Sequence, residues 1–227
     1  MYDLYIANKN YSSWSLRPWV LMRELGIAFR EHLLPFGQDA NWQSYRKISP
    51  SGKVPCLVDG DTVVWDSLAI AEYLAEEHSA VWPQPADARA WARSAAAEMH
   101  SGFNELRSRC SMTCGQRIRL HEIPPALERD LTRLRSLWND GLHRFGGPYL
   151  AGAAFTAVDA FFAPVAFRVQ TYGVNLDPAS AAYADRLLGT RAMREWYAAA
   201  LQETLRDPPH EEEVLQFGTV LEDLRAK

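Results

Sequence analysis

Apolar and polar positions in the first eighty residues follow two periodicities in turn. Tyr2 to Ala7 reads as a short strand, and Trp14 to Leu25 carries a helical pattern stopped by Gly26. Phe29 to Leu34 predicts a second strand, and the polar stretch Asn41 to Ile48 a second helix. Pro55 to Val58 and Thr62 to Trp65 flank the turn Asp59-Gly60-Asp61 and predict a β-hairpin. Leu68 to Glu77 closes the series as a helix with Leu68, Ile70, Ala71 and Leu74 inward. The predicted order is βαβαββα.

After His78 the texture changes. Trp82-Pro83-Gln84-Pro85 suits an exposed connector, and no convincing strand follows it. Amphipathic periodicity predicts helices over Asp87 to Arg109, Pro125 to Phe145, Thr156 to Tyr172 and Arg191 to Arg206. The tail beyond Asp207, with Pro208-Pro209 and Glu211-Glu212-Glu213, reads as peripheral. The pattern therefore predicts an α/β domain over residues 1–79, an all-helical domain over 86–207 and a peripheral tail over 208–227.

With 48% apolar and 11% aromatic residues in a chain of 227, there is ample material for packed cores and no compositional sign of disorder. A net charge of -4 supplies no broad cationic field, which counts against nucleic acid or an anionic membrane surface as the main partner. No apolar run is long enough to span a bilayer. Three cysteines, Cys56, Cys110 and Cys114, in a chain without a signal-peptide start point to the reducing cytoplasm. No His or acidic cluster at metal-ligand spacing accompanies them, so they read as ordinary thiols and no metal is expected.

Chemistry concentrates in three short segments. The first is Tyr11-Ser12-Ser13-Trp14-Ser15-Leu16-Arg17, at the N-terminus of the first helix. One serine suffices as a cap, so the surplus points to a hydroxyl of Ser12 or Ser13 facing a ligand. A thiolate suits that place, because a hydroxyl donor and a helix N-terminus both stabilise charged sulfur. Next comes Ser51-Gly52-Lys53-Val54-Pro55, where a proline opens a strand after a glycine-containing loop. A cis bond at Pro55 would leave the Val54 backbone free to pair with an extended peptide-like ligand, although X-Pro bonds are cis only about 5% of the time. In the third, Asp66-Ser67 stands at a helix start, where the serine can receive a carboxylate and the aspartate hold an ammonium, or either can simply cap the helix.

Together these segments and the element order resemble the glutathione transferase family over nearly the whole chain. The resemblance implies a thioredoxin-like N-terminal domain followed by an all-helical C-terminal domain, reduced glutathione as co-substrate, a small electrophile as second substrate, and a homodimer. The serine-bearing segment is similar to that of the zeta class, in which Ser12 matches the serine that activates the glutathione thiol. Trp14 stands where that class has a cysteine, which counts against zeta-class isomerase activity. Lys53-Val54-Pro55 matches the family's cis-proline loop, and Asp66-Ser67 its pair that grips the γ-glutamyl end. The implied glutathione-binding residues are thus Lys53, Val54, Asp66 and Ser67, with Ser12 and Ser13 catalytic.

In such a family the second substrate sits between the domains, against the first long C-terminal helix. His100, Phe103 and Arg107 fall at i, i+3 and i+7 there and share a face if that helix is continuous. With Trp14 as a roof over the thiol, they form an aromatic wall with a cationic end, suited to an electrophile bearing a carboxylate; packing against the other domain or subunit is the competing reading. Thr156 and Asp159 match the family's capping box, a folding element and not a catalytic one. A glutathione-dependent isomerase or thiol-disulfide reductase, and a non-catalytic scaffold that binds proteins, remain the rival functions.

Overall fold

The computed structural model describes residues 1–37 and 41–227. In β1 (Tyr2–Ile6) only Leu4 and Ile6 are fully buried, so alternate side chains face the core. The chain crosses over through α1 (Ser13–Glu24) and returns as β2 (Phe29–Leu33), parallel to β1 with Tyr2 opposite Phe29. After α2 (Asn41–Ile48), β3 (Cys56–Asp59) and β4 (Thr62–Val64) form the expected antiparallel hairpin, with Val58 opposite Val63. The sheet order is β2-β1-β3-β4. In α3 (Ser67–Glu77), Ile70, Ala71 and Leu74 are buried and Leu68 packs at their edge. This is a thioredoxin-like unit.

The helical half runs α4 (Ala86–Ser101), α5 (Asn104–Arg109), β5 (Gln116–Leu120), α6 (Pro125–Phe145), α7 (Ala157–Tyr172), α8 (Pro178–Leu188), α9 (Arg191–Gln202), α10 (Pro208–Phe217) and β6 (Gly218–Asp223). Helix α7 is buried on nearly every side and packs against α1, α4 and α8. Its contact with α1 joins the two halves, with Arg17 of α1 set over the Phe161 ring, while Trp19 meets Trp196 of α9.

Five expectations need correction or extension. The helix expected over Asp87 to Arg109 breaks in two: Gly102 ends α4, and Phe103 adopts a left-handed conformation with φ of 54°. A side chain at Gly102 would bring its Cβ within 2.8 Å of the Glu98 carbonyl, so the turn requires glycine. The apolar spacing of Ala95, Met99, Phe103 and Leu106 runs across the break and conceals it. The connector is only half exposed, since Trp82 is 3% exposed and belongs to the core. Helix α8 escaped the periodicity, although Asp177-Pro178 announces it: the Asp177 carboxylate accepts from the Ala179 and Ser180 amides.

The last two corrections concern the tail. Residues 208–227 are not peripheral. α10 covers one side of a cleft, and β6 pairs antiparallel with β5 about a hundred residues upstream, adding a two-stranded ribbon to the helical half. Such a pairing leaves little local signal, because each strand is short and its partner lies far away in sequence. The tail is anchored by Arg225, whose side chain is only 2% exposed and pairs with both Glu211 and Asp223.

Candidate functional site

Between β1 and α1 the loop of residues 7–12 is held from the helical half. The Glu203 carboxylate accepts the Lys9 and Asn10 amides at 2.6 and 3.0 Å, and the Trp196 indole donates to the Lys9 carbonyl at 2.8 Å. The Cys114 amide donates to the Asn10 carbonyl at 3.2 Å. Polar backbone groups inside the protein need partners, and this loop finds them across the domain boundary.

The mouth of α1 follows directly. Ser12 stands at the capping position, yet its side chain makes no capping bond; its hydroxyl donates instead to Ser15 Oγ at 2.7 Å. Ser15, fully buried, also accepts the Ala7 amide at 3.2 Å. Ser13 is half-buried and forms the first residue of the helix. Among the described residues neither the Trp14 nor the Ser15 amide has an acceptor, as is usual in a first helical turn.

This mouth opens into a cleft of about 440 Å³. Ser12, Ser13 and Trp14 line it from α1, Lys53 and Val54 from the loop before β3, Arg107 from α5 and Arg168 from α7. His210 and Glu213 close it from α10. The Val54-Pro55 bond is cis. Of the residues singled out in the sequence, the structure thus brings together Ser12, Ser13, Trp14, Lys53, Val54 and Arg107.

Four others lie off the cleft wall. Asp66 caps α3 by accepting the Leu68 amide at 3.0 Å, and its other oxygen is 3.4 Å from His100 Nε2. Ser67 is fully buried, with Arg17 Nη1 at 3.5 Å from its hydroxyl. His100, whose pKa burial pulls down, meets Trp14 edge to face at 5.2 Å between centroids. Phe103 packs on Phe162 in the core. The break after α4 removes the shared face expected for His100, Phe103 and Arg107. All three cysteines are buried, and burial pushes the Cys110 thiol up to about 12.

Sequence reasoning missed the cationic floor. Arg17 is 2% exposed, stacks over Trp14 at 4.2 Å, and among the described residues leaves its Nε without a partner. Burial first, then the charges of Arg168 and Arg107, draws its pKa down to about 9. Arg168, 4% exposed, is drawn to about 10, again mainly by burial. A lone arginine in the otherwise apolar run Phe161 to Val169 was the available signal, since arginine rarely enters such a face without work to do. Tyr11 was missed too. Its hydroxyl donates to Glu211 and accepts from Arg225 at 2.9 Å, while its ring stacks on His210. Burial and the Glu211 carboxylate push that phenol far up, so it stays protonated.

Residues 11–77, which hold α1, the cis-proline loop and α3, match the family model described as the glutathione S-transferase N-terminal domain. The N-terminal part of the chain therefore resembles the glutathione transferase family. Similar to it is the glutathione S-transferase-like protein OpS6 of Beauveria bassiana, 27% identical over 190 residues that cover 78% of this chain and 83% of the relative. A dichloromethane dehalogenase of Methylophilus leisingeri is 42% identical over 59 residues, covering 25% of this chain and 22% of that protein. Glutathione S-transferase Z1 of Arabidopsis thaliana is 28% identical over 142 residues, 59% of this chain and 62% of the relative. Among solved structures, a theta class glutathione S-transferase of Xanthomonas axonopodis pv. citri with glutathione bound superposes with a TM-score of 0.64 at 22% identity, covering 86% of this chain and 96% of that one. That likeness establishes the transferase fold.

Proposed function

We propose that this protein is a glutathione transferase. It binds reduced glutathione in an extended form across the N-terminal domain, with the tripeptide backbone along Val54 and the γ-glutamyl end toward the exposed Asp66 at the N-terminus of α3. The sulfur lies at the mouth of α1 beside Ser12. There the thiol ionises and attacks a small electrophile held on the helical side of the cleft.

The observation that carries this reading is a helix N-terminus whose capping serine does not cap. Ser12 can turn its hydroxyl from Ser15 to a sulfur anion without leaving Ser15 bare, because Ser15 Oγ keeps the Ala7 amide. A bond to a charged acceptor is about twice as strong as one between neutral groups, which favours the exchange. The unpaired Trp14 amide and the nearby Lys53 add positive potential, so the bound thiol should titrate below its ordinary value near 8.5. Holding thiolate and electrophile in one cleft supplies the rest of the acceleration.

Calorimetry with glutathione, followed by mass spectrometry of the product formed with an activated aryl halide, tests the reading. Saturable binding and a glutathione conjugate are expected. Isomerised product or a disulfide in place of the conjugate would assign the thiolate to another reaction, and absence of binding would favour a non-catalytic scaffold.

A further inference from the structure

Several arginines of this chain are paired with carboxylates: Arg93 with Glu72, Arg133 with Glu98, Arg135 with Glu128, Arg225 with Glu211 and Asp223. Others meet only carbonyls or hydroxyls, and three of these gather at one place. Among the described residues Arg17, Arg107 and Arg168 have no carboxylate within ion-pair distance, yet they are gathered around Trp14 and the floor of the cleft. Burying like charges together without counter-ions is costly, so a fold that does so at a cleft wall is one that an anion completes.

Among the described residues, the hydrogen bonds show which ends are free. Arg168 spends Nε on the Cys110 carbonyl at 2.7 Å and Nη1 on the Pro164 carbonyl at 3.3 Å, leaving Nη2. Arg107 spends only Nη1, on the carbonyls of His100 and Gly102 that end α4, leaving Nε and Nη2. Both line the cleft. Arg17 lies beneath, behind Ser67, and reaches the cleft only through its charge. The break between α4 and α5 is what turns Arg107 to the α4 carbonyls, because a continuous helix would leave those groups bonded within it. The one acidic lining residue, Glu213, is exposed and belongs to α10, a different wall.

We infer that Arg107 and Arg168 form a carboxylate seat for the second substrate, so that the enzyme prefers small electrophiles carrying a carboxylate, with the reactive carbon set between that seat and the mouth of α1. This rests on the transferase reading for the thiolate but not for the seat itself. Glutathione also carries carboxylates, and the experiment separates the two sources.

Two electrophiles with the same reacting carbon, one anionic and one neutral, serve as probes, each compared between wild type and variant: para-chloro-meta-nitrobenzoate and its methyl ester. In each, the thiolate sulfur bonds to the chlorine-bearing ring carbon and chloride leaves with the electrons of the broken bond. Kinetics of the full chain are compared with Arg107→Gln and, as a variant that keeps stem and charge, Arg107→Lys. The expected result is a rise of about tenfold in KM for the acid in Arg107→Gln, a smaller rise in Arg107→Lys, and ester KM and glutathione affinity unchanged within about twofold. Equal shifts for acid and ester would overturn the inference. So would weakened glutathione binding with the acid's KM unmoved, since the arginine would then hold glutathione. If neither probe is turned over, the transferase reading fails, and calorimetry with para-nitrobenzoate on the glutathione-free protein decides the seat: binding weakened about tenfold by Arg107→Gln supports it, and no binding overturns it.

Discussion

Ser12 and Asp159 both stand in the first turn of a helix, and they do opposite work. Ser12 occupies the capping place without capping, which frees its hydroxyl for a ligand. Asp159 is committed entirely to the fold. Its fully buried carboxylate accepts from the Leu150 and Thr156 amides and from the Tyr183 hydroxyl, tying α7 to the loop before it and to α8. That is more than a capping box supplies, so Asp159→Ala should cost about 3 kcal/mol, leaving two amides and a phenol without partners. Urea unfolding checks this. Burial raises the Asp159 carboxyl to about 6, above the roughly 3.9 of an unfolded aspartate. A raised folded pKa gives stability that is complete below the unfolded value and is lost as pH climbs through the folded one. The gap between wild type and variant should therefore narrow as pH rises from about 4 to about 6.

At the scale of elements, the tail decides the shape of the cleft. Arg225 reaches from beyond β6 to Glu211 on α10 and to the Tyr11 hydroxyl at the start of the serine segment, fastening the end of the chain to the thiol loop. Periodicity caught the sheet and the long helices, where the apolar spacing belongs to one element. It missed β5, β6 and the packing of α10, where the partner is distant in sequence. Arg225→Met should release α10, raising hydrogen exchange in residues 208–217 and weakening glutathione binding by about fivefold, while the sheet stays protected. Bonds from Arg225 hold the Asp223 carboxyl down to about 2 and, against the effect of burial, Glu211 below its ordinary range. Depressed carboxyl values give stability that is present above the unfolded pKa near 4 and lost as pH falls toward the folded one. Wild type and Arg225→Met should accordingly converge between about pH 4 and 2.

Across the whole molecule, the reactive loop is a product of both halves. Its serines come from the N-terminal domain, but Lys9 and Asn10 are held by Glu203, Trp196 and Cys114 of the helical half, and the cleft's two arginines come from α5 and α7. The serine segment and the cis-proline loop, which meet at one cleft, were legible because each is local and its residue types are restricted by backbone geometry, whereas Asp66 and Ser67 lie off that cleft wall. Arg168, Tyr11 and the α4–α5 break were not, because their meaning depends on what packs against them. The central claim is that this jointly built helix mouth stabilises a sulfur anion. Ultraviolet titration of the thiolate in the glutathione complex tests it most directly, in wild type and in Ser12→Ala. The account predicts a bound thiol pKa at least about one unit below the free value near 8.5, and a rise of about one unit on removing the hydroxyl. A bound thiol that titrates at the free value, or one unmoved by Ser12→Ala, would contradict it.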